Sequence, residues 1–336
     1  MSARTDRVAG RLGSSAVAAV VLAVTGALLA GCASSAYDAT PLPTASAPAP
    51  ATAAPSPSPS AAAPVVCDNA LASYAPEGAL PAPGAMPAGS TMAAIAQRGR
   101  LIVGVSADSL LLAARDPISG RIEGFDIDIA RQVAQAIFGD PDKIELRVIT
   151  AAQRIPVLAD GSVDLVARNM TITCARWEQI AFSAEYYRSG QKVLVPLGSR
   201  ATSLAELAGE RVCAPAGSTS LDKLSDFPQV VPVSAATHTG CLVKFQQGEV
   251  DAITGDDTVL AGLAAQDPYA QVVGTAFTSE PYGVGINSSS VDLVRFVNGV
   301  LAAAKADGRW TRSYDTWLTD ALGAAPAPPV AEYGRG

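Results

Sequence analysis

Eight consecutive residues, 169–176, carry the side chains in this sequence that are best suited to hold a small anion. They follow an apolar run at 163–167 that predicts a strand, and they close with an arginine at the start of a predicted helix. The octet supplies an amide, two hydroxyls and a guanidinium, from Asn169, Thr171, Thr173 and Arg176. A planar guanidinium matches the two oxygens of a carboxylate, and a helix N-terminus adds free N–H donors. The pattern predicts a carboxylate site; a solvated arginine opening a surface helix is the alternative.

A pair of acidic residues, Asp256 and Asp257, offers the opposite charge later in the chain. The pair stands at the head of a helical run at 259–263. One aspartate at such a position commonly caps the helix, which leaves the other free to face an ammonium group. Together with the octet, the pair predicts a ligand that carries both charges.

The N-terminus has the layout of an export signal. Arg4, Arg7 and Arg11 precede an uncharged run rich in Ala, Val and Leu, and this run ends in the tetrad Leu-Ala-Gly-Cys at 29–32. The run is diluted by Ala and Gly, which argues against a membrane span. The tetrad resembles the bacterial lipoprotein box, in which the cysteine is acylated. We therefore expect Cys32 to anchor the mature chain on the extracytoplasmic face of the cell membrane, with an ordinary secreted protein as the alternative.

Composition then predicts the domain organisation. After a signal peptide at 1–31, residues 32–90 are rich in Ala, Pro and Ser and lack the large apolar side chains of a core, so we expect an extended linker. Residues 323–336 predict a flexible tail. The roughly 230 residues in between suffice for two lobes.

Charge and motif content exclude several function classes. The net charge is −7, and removal of residues 1–31, with three arginines and one aspartate, makes it −9. An acidic chain without a basic run argues against nucleic acid. Zinc-type cysteine spacing and a dinucleotide fingerprint are both missing from the sequence, so we expect no metal and no cofactor. With a single histidine, His238, and no GxSxG motif, we expect no enzyme, and we expect His238 to be a surface or loop residue.

Four cysteines remain after Cys32, and in an exported protein they suggest two disulfides. Of three connectivities, we favour Cys213 with Cys241, because both lie in one half of the folded region. Closing that loop of about 28 residues would stabilise the fold by roughly 3–4 kcal/mol on the chain-entropy model. Cys67 would then pair with Cys174 and tie the end of the linker to the helix beside the octet.

Strand and helix signals alternate along the folded region. Leu101–Val105 predicts a strand, apolar residues at helical spacing predict a helix over 130–138, and an alternating run at 144–149 predicts the next strand. Such alternation predicts an α/β fold with a largely parallel sheet, whose ligands lie at the carboxyl ends of the strands.

One short sequence recurs 87 residues later. Gly-Ser-Val-Asp-Leu-Val at 161–166 is echoed by Gly-Glu-Val-Asp-Ala-Ile at 248–253. Two similar lobes are the simplest explanation, and a turn that is common among proteins is the alternative.

Taken together, these residues resemble the polar amino-acid-binding proteins of bacterial ABC importers, a family that includes glutamine and glutamate/aspartate binders. The matching motifs follow the family's order and lie at 101–105, 124–128, 161–166, 171–176, 209–219, 250–257, 282–285 and 307–318. The resemblance implies two doubly wound α/β lobes of the periplasmic-binding-protein type II fold. Two crossing strands, near 186–190 and 278–282, would join lobe 1 (91–189 and 283–322) to lobe 2 (190–282).

The resemblance also implies roles for the site residues. Arg176 would bind the α-carboxylate of an amino acid, together with Thr171, Thr173 and the backbone N–H of Thr219. Asp257 would bind the α-ammonium group.

The resemblance also implies which residues recognise the ligand side chain. Arg154 matches the arginine that acidic-ligand members use for a distal carboxylate, and Arg168 offers a second cation. Ser106 stands where many members have an aspartate, with Asp108 as a substitute. The implied function is a lipid-anchored monomer that captures glutamate or aspartate, or else glutamine or asparagine, and delivers it to an ABC permease. The alternative is a sensor that reports the amino acid to a membrane partner.

Overall fold

The computed structural model describes residues 67–336, and the predictions that fall on residues 1–66, among them the signal peptide and the Cys32 anchor, lie outside the described residues. Within the described range, no helix combines the length and the apolar character needed to cross a bilayer. The helices here are α1 Thr91–Arg98, α2 Phe125–Phe138, α3 Arg154–Ala159, α4 Cys174–Trp177, α5 Thr219–Lys223, α6 His238–Gln246, α7 Asp257–Ala264, α8 Val291–Ala306, α9 Arg309–Trp317 and α10 Thr319–Leu322. The strands are β1 Ser73–Tyr74, β2 Leu101–Val105, β3 Asp108–Ser109, β4 Ala113–Arg115, β5 Ile122–Glu123, β6 Ile144–Val148, β7 Leu165–Val166, β8 Ile180–Phe182, β9 Tyr187–Ser189, β10 Gln191–Pro196, β11 Arg211–Pro215, β12 Val231–Ala235, β13 Ala252–Asp256, β14 Ala270–Val273, β15 Glu280–Tyr282, β16 Gly285–Asn287 and β17 Tyr333–Arg335.

Two five-stranded sheets carry the two lobes. The sheet of lobe 1 has the order β6-β2-β7-β16-β8, and the sheet of lobe 2 has the order β12-β11-β13-β10-β14. In each sheet the first three strands run parallel and the last two are joined by antiparallel pairing. The two sheets therefore share one topology, with helices covering them, which is the predicted α/β class.

The sequence echo marks equivalent strands of the two sheets. Strand β7 is formed by the last two residues of the first copy, and β13 begins at the fifth residue of the second. The aspartate of each copy accepts a hydrogen bond from the start of the neighbouring strand: Asp164 from Ile102 N at 2.7 Å, and Asp251 from Arg211 N at 2.8 Å. The echo is thus a structural repeat in which a carboxylate fixes the register of two parallel strands.

Helix α2 begins five residues earlier than the sequence predicts. Its first turn contains Asp126 and Asp128, which precede the predicted start at residue 130, and acidic residues favour the N-terminus of a helix. Gly124 precedes the helix with a φ of 142°, and a Cβ there would lie 2.3 Å from Leu112 O, so the chain needs glycine at this position. The apolar face of α2 is buried in the core of lobe 1.

The two lobes are joined by the strand pair β9 and β15, which run antiparallel with Ser189 opposite Glu280. These strands lie where the resemblance places the crossing strands. Tyr282 of β15 is fully buried, and the isolated bridge from Thr171 to Tyr282 connects the hinge to the octet. The hinge therefore contacts the candidate site directly.

Both predicted disulfides are present, Cys213–Cys241 in lobe 2 and Cys67–Cys174, which ties the N-terminal segment to α4. The Cα atoms of each pair are 5.6 Å apart.

Two segments that we expected to be extended or flexible are ordered against lobe 1. Strand β17, in the predicted tail at 323–336, pairs in parallel with β1, in the predicted linker at 32–90. The Arg335 guanidinium lies 3.7 Å from the centroid of the Trp177 ring, and Ser73 Oγ donates to Phe182 O at 2.8 Å. Backbone pairing and a disulfide hold segments whose composition alone predicts no structure, so both predictions are corrected for these residues.

Candidate functional site

A small cavity lies between the lobes, at the carboxyl ends of strands from both sheets. Its volume is about 10 Å³, which barely accommodates one water molecule, so any larger ligand requires the lobes to separate. The wall is formed by Ala151, Arg154, Arg168, Asn169 and Thr171 of lobe 1 and by Pro215, Ser218, Thr219, Ser220, His238 and Asp256 of lobe 2. The structure thus brings five of the predicted ligand-binding residues together: Arg154, Arg168, Asn169, Thr171 and Thr219.

Arg176 lies at the seam between the lobes. It belongs to α4, and its side chain is only 8 % exposed, which rules out the solvated arginine that we considered as the alternative. Its Nη1 donates to Thr171 O at 2.7 Å, and its Nη2 donates to Gly217 O of lobe 2 at 3.4 Å. Burial lowers the pKa of Arg176, an effect that the acidic side chains of Asp222 and Glu280 oppose.

Arg154 converges on the same carbonyl oxygen. It is 3 % exposed, and it donates to Gly217 O at 3.0 Å and to the carbonyl oxygens of Ala151, Arg168 and Asn169 in lobe 1 at 2.9 to 3.3 Å. Burial, followed by repulsion from Arg176 and Arg168, lowers its pKa well below the usual value for arginine. Two guanidinium groups so close together favour an anion between them.

Gly217 allows this close approach. Its φ is +74°, and a Cβ at this position would lie 2.8 Å from the Cα of Ala152 in the opposite lobe. A side chain here would hold the lobes apart, so the glycine lets the lobe 2 backbone reach both guanidinium groups.

Arg168 and Asn169 form the floor of the cavity. The Nε of Arg168 donates to Ile149 O at 2.8 Å. Asn169 adopts a φ of 34°, and its backbone N donates to the buried carboxylate of Asp126 at 2.8 Å. Burial raises the pKa of Asp126 to about 6, although hydrogen bonds from Tyr186 and Asn169 and the two nearby arginines act in the opposite direction. The Asn169 Oδ1 atom is buried and has no hydrogen-bond partner among residues 67–336.

Glu280 is a site residue that the sequence analysis missed. It opens the hinge strand β15 and is 4 % exposed. Its Oε2 accepts hydrogen bonds from Thr171 Oγ1 of lobe 1 at 2.7 Å and from Thr219 Oγ1 of lobe 2 at 2.9 Å. The signal that could have revealed it is an acidic residue inside a segment that is otherwise predicted to cross between lobes.

Thr173 and Asp257 do not line the cavity. Thr173 is the N-cap of α4, where its Oγ1 accepts from Arg176 N at 3.3 Å, so its hydroxyl orients the arginine and does not face the cavity. Asp257 accepts from Ser189 Oγ at 2.5 Å and from Thr258 N at 2.7 Å, and it thereby connects α7 to the hinge. The roles that the resemblance implies for these two side chains stay predictions, since both side chains are engaged here in contacts within the protein.

The preceding residue, Asp256, is the acid in the cavity wall. Its Oδ2 accepts from Tyr282 OH at 2.6 Å, while its buried Oδ1 has no partner within the described part of the chain. Burial, followed by repulsion from Glu280, raises the pKa of Asp256 to about 7. The oxygen without a partner is free to accept from a cationic ligand group.

His238 is also part of the cavity wall, so the prediction of a surface or loop position is wrong. It begins α6, with two residues between it and the end of strand β12 in lobe 2, and its Nε2 is buried without a partner among residues 67–336. Burial, followed by repulsion from Arg168, lowers the pKa of His238 to about 4. Its place after a strand at the carboxyl edge of the sheet was the signal in the sequence.

A larger depression of about 680 Å³ lies on lobe 2, away from these residues. Its walls include Glu210, Asp251 and Asp267 beside apolar side chains, and they contain no lysine or arginine. Tyr269 at its rim is 77 % exposed. Despite its size, this depression lacks the cations that a carboxylate requires, whereas the small interlobe cavity has them.

The sequence profile of the bacterial extracellular solute-binding proteins, family 3, matches residues 101–320. The chain belongs to this family. The match spans both sheets and the hinge, so all residues that line the interlobe cavity lie within the matched range. The predicted fold of two α/β lobes is confirmed.

Individual relatives agree with the family assignment. The ABC transporter glutamine-binding protein GlnH of Bacillus subtilis is 35 % identical over 232 residues, which is 68 % of this chain and 85 % of that protein. The glutamate-binding protein GluB of Corynebacterium efficiens is 32 % identical over 248 residues, 70 % of this chain and 83 % of that protein. Among solved structures, a solute receptor for L-cysteine of Neisseria gonorrhoeae aligns with a TM-score of 0.66 at 29 % identity, covering 70 % of this chain and 96 % of the receptor.

Proposed function

We propose that this solute-binding protein captures an amino acid in the cleft between its lobes, and that it prefers glutamate and aspartate to glutamine and asparagine. The observation that carries the proposal is a small interlobe cavity that two buried arginines line, with a third buried arginine bound to the same Gly217 carbonyl oxygen as Arg154 and a buried aspartate in the opposite wall. Arg154, Arg168 and Arg176 supply positive charge, and Asp256 supplies negative charge. An acidic amino acid brings two carboxylates and one ammonium group, which matches this excess of cations.

Arg176 is the proposed partner of the ligand α-carboxylate. Its guanidinium already contacts backbone oxygens of both lobes, so a carboxylate bound there would lie at the seam. A bidentate guanidinium–carboxylate pair gains strength when closure excludes water. The backbone N–H of Thr219 in lobe 2 is the proposed second donor. A ligand held from both sides would favour the closed arrangement of the lobes.

Arg154, Arg168 and His238 are the proposed partners of the ligand side chain. All three line the cavity, and the buried arginines repel each other. A side-chain carboxylate would add negative charge beside both arginines, whereas an amide would add none. Local cations are needed because a mature chain with a net charge of −9 repels acidic ligands at long range.

The printed names of the relatives support an amino-acid ligand. The Bacillus subtilis relative is named for glutamine and the Corynebacterium efficiens relative for glutamate. These two ligands differ only in the terminal group of the side chain, so the two buried arginines in the cavity wall, Arg154 and Arg168, favour the acidic one for this chain.

The ranking is tested by isothermal titration of the purified protein with glutamate, aspartate, glutamine and asparagine. We expect at least tenfold tighter binding of each acid than of its amide, since one charged hydrogen bond contributes roughly 1.5–3 kcal/mol. Arg154→Gln should reduce this preference, and Arg147→Gln, on an exposed arginine of β6, is the matched control. Equal affinities for acids and amides would contradict the proposed ranking, and binding of none would contradict the proposed function.

Delivery to an ABC permease, a lipid anchor at Cys32 and a monomeric state complete the proposal. A sensor that signals to a membrane partner is the alternative, because it would use the same closing lobes. Deletion of the gene followed by measurement of labelled glutamate uptake separates the two: reduced uptake supports import, and unchanged uptake supports sensing. Mass spectrometry of the natively exported protein tests the anchor, which a free Cys32 thiol would contradict.

A further inference from the structure

Glu280 contacts both lobes from the hinge strand, through the two threonines of the cavity. Its Oε2 lies 2.7 Å from Thr171 Oγ1 and 2.9 Å from Thr219 Oγ1, and its Oε1 accepts from Thr278 Oγ1 at 2.7 Å. The carboxylate is almost fully buried, so these hydroxyls replace its hydration. The two hydroxyl oxygens lie 3.4 Å from each other, and Glu280 Oε2 is the carboxylate acceptor that both share.

The direction of these hydrogen bonds is fixed by chemistry. An ionised carboxylate only accepts, and a threonine hydroxyl has a single proton. Thr171 and Thr219 each commit that proton to Glu280, so the hydroxyl oxygens present lone pairs to the cavity that they line. Lone pairs suit a donor such as an ammonium group, and they repel a carboxylate.

Two further atoms in the cavity wall offer the same chemistry. Asp256 Oδ1 and Asn169 Oδ1 are buried oxygens without a hydrogen-bond partner among residues 67–336. Both residues line the cavity beside Thr171 and Thr219, and each is more than nine-tenths buried. A buried acceptor without a partner is costly, and a ligand ammonium group with three N–H donors would satisfy it.

We infer that Glu280 is a specificity-determining positioning residue: by holding the hydroxyl protons of Thr171 and Thr219, it makes their oxygens acceptors for the α-ammonium group of the ligand. The inference rests on the proposed amino-acid function. It changes the predicted role of the Thr171 hydroxyl, which becomes an ammonium acceptor, and leaves the α-carboxylate to Arg176. It also explains why an acidic side chain occupies a buried hinge strand.

The test compares glutamate with glutarate, which has the same two carboxylates but no ammonium group. Both affinities are measured by isothermal titration for the wild type and for Glu280→Gln. We expect this variant to bind glutamate roughly tenfold to 100-fold more weakly, from the loss of a charged hydrogen-bond network, and to bind glutarate as well as or better than the wild type. The ratio of the two affinities should fall at least tenfold.

Glu185→Gln is the matched control, because Glu185 is an equally buried carboxylate that pairs with Arg188 outside the cavity. The ratio of glutamate affinity to glutarate affinity should be the same for Glu185→Gln as for the wild type. If Glu280→Gln fails to fold, Thr171→Val replaces it in the test. This variant should also weaken the binding of glutamate more than the binding of glutarate.

The outcomes separate the inference from the function on which it rests. The inference alone is overturned if the wild type binds glutamate and Glu280→Gln either loses affinity for glutamate and glutarate equally or loses affinity for neither. A wild type that binds no amino acid overturns the proposed function and the inference with it.

Discussion

Replacement of Arg176 by alanine should abolish recognition of every amino acid, whatever its side chain. The guanidinium is buried and contacts Thr171 O and Gly217 O, so its removal leaves the ligand α-carboxylate desolvated at the seam without its proposed bidentate partner. Truncating one partner of a buried charged pair costs about 2–5 kcal/mol, which corresponds to roughly 30-fold to several thousand-fold in affinity. The loss should be similar for acids and amides because the α-carboxylate is common to them.

The assay is isothermal titration of Arg176→Ala with glutamate and glutamine, alongside Arg211→Ala as a control. Arg211 lies in lobe 2, where it pairs with Asp251 at 2.8 Å and is half-exposed, so its variant should bind like the wild type. Circular dichroism should show that both variants keep the fold. Affinities of Arg176→Ala within threefold of the wild type would refute the assignment of the α-carboxylate.

Three further predictions concern pH, a disulfide and the histidine. Burial raises the folded-state pKa of Asp256 above its unfolded value, so the stability it contributes is present below pH ~4 and lost as pH rises through ~7, while the lowered pKa of His238 contributes a gain over the same window; in urea unfolding, Asp256→Asn should therefore reduce the loss of stability relative to the wild type by a few kcal/mol. The reduction should be partial, because the raised pKa of Asp126 acts in the same direction. Joint replacement of Cys67 and Cys174 by serine opens a loop of 107 residues and should lower the free energy of unfolding by roughly 4–5 kcal/mol, with weaker glutamate binding since α4 carries Arg176. His238→Gln should weaken the binding of glutamate more than the binding of glutamine. It should also remove the proton uptake that accompanies glutamate binding, because a carboxylate beside His238 raises its low pKa. Titration in buffers of different ionisation enthalpy measures this proton uptake.

The sequence predicted the parts of the site that depend on local signals. The octet ends a strand and opens a helix, and these two features alone bring Arg176 and Thr171 to the edge of the sheet. The echo at 161–166 and 248–253 predicted two similar lobes, because the same aspartate-to-backbone contact is built into each sheet.

The remaining site residues depend on tertiary placement. Asp256 and Asp257 are consecutive at the end of β13 and the start of α7, so they point to different sides, and the sequence does not show which one faces the cavity. Glu280 becomes a site residue only because the hinge passes beside threonines from both lobes. The C-terminal strand likewise forms because β1 offers it a backbone partner.

The most direct test of the central claim is a crystal structure of the protein grown with glutamate. The account predicts one glutamate between the lobes, with its α-carboxylate within hydrogen-bond distance of the Arg176 guanidinium and its side chain toward Arg154 and Arg168. A glutamate bound in the lobe 2 depression beside Tyr269, or one in the cleft whose α-carboxylate does not contact Arg176, would contradict it.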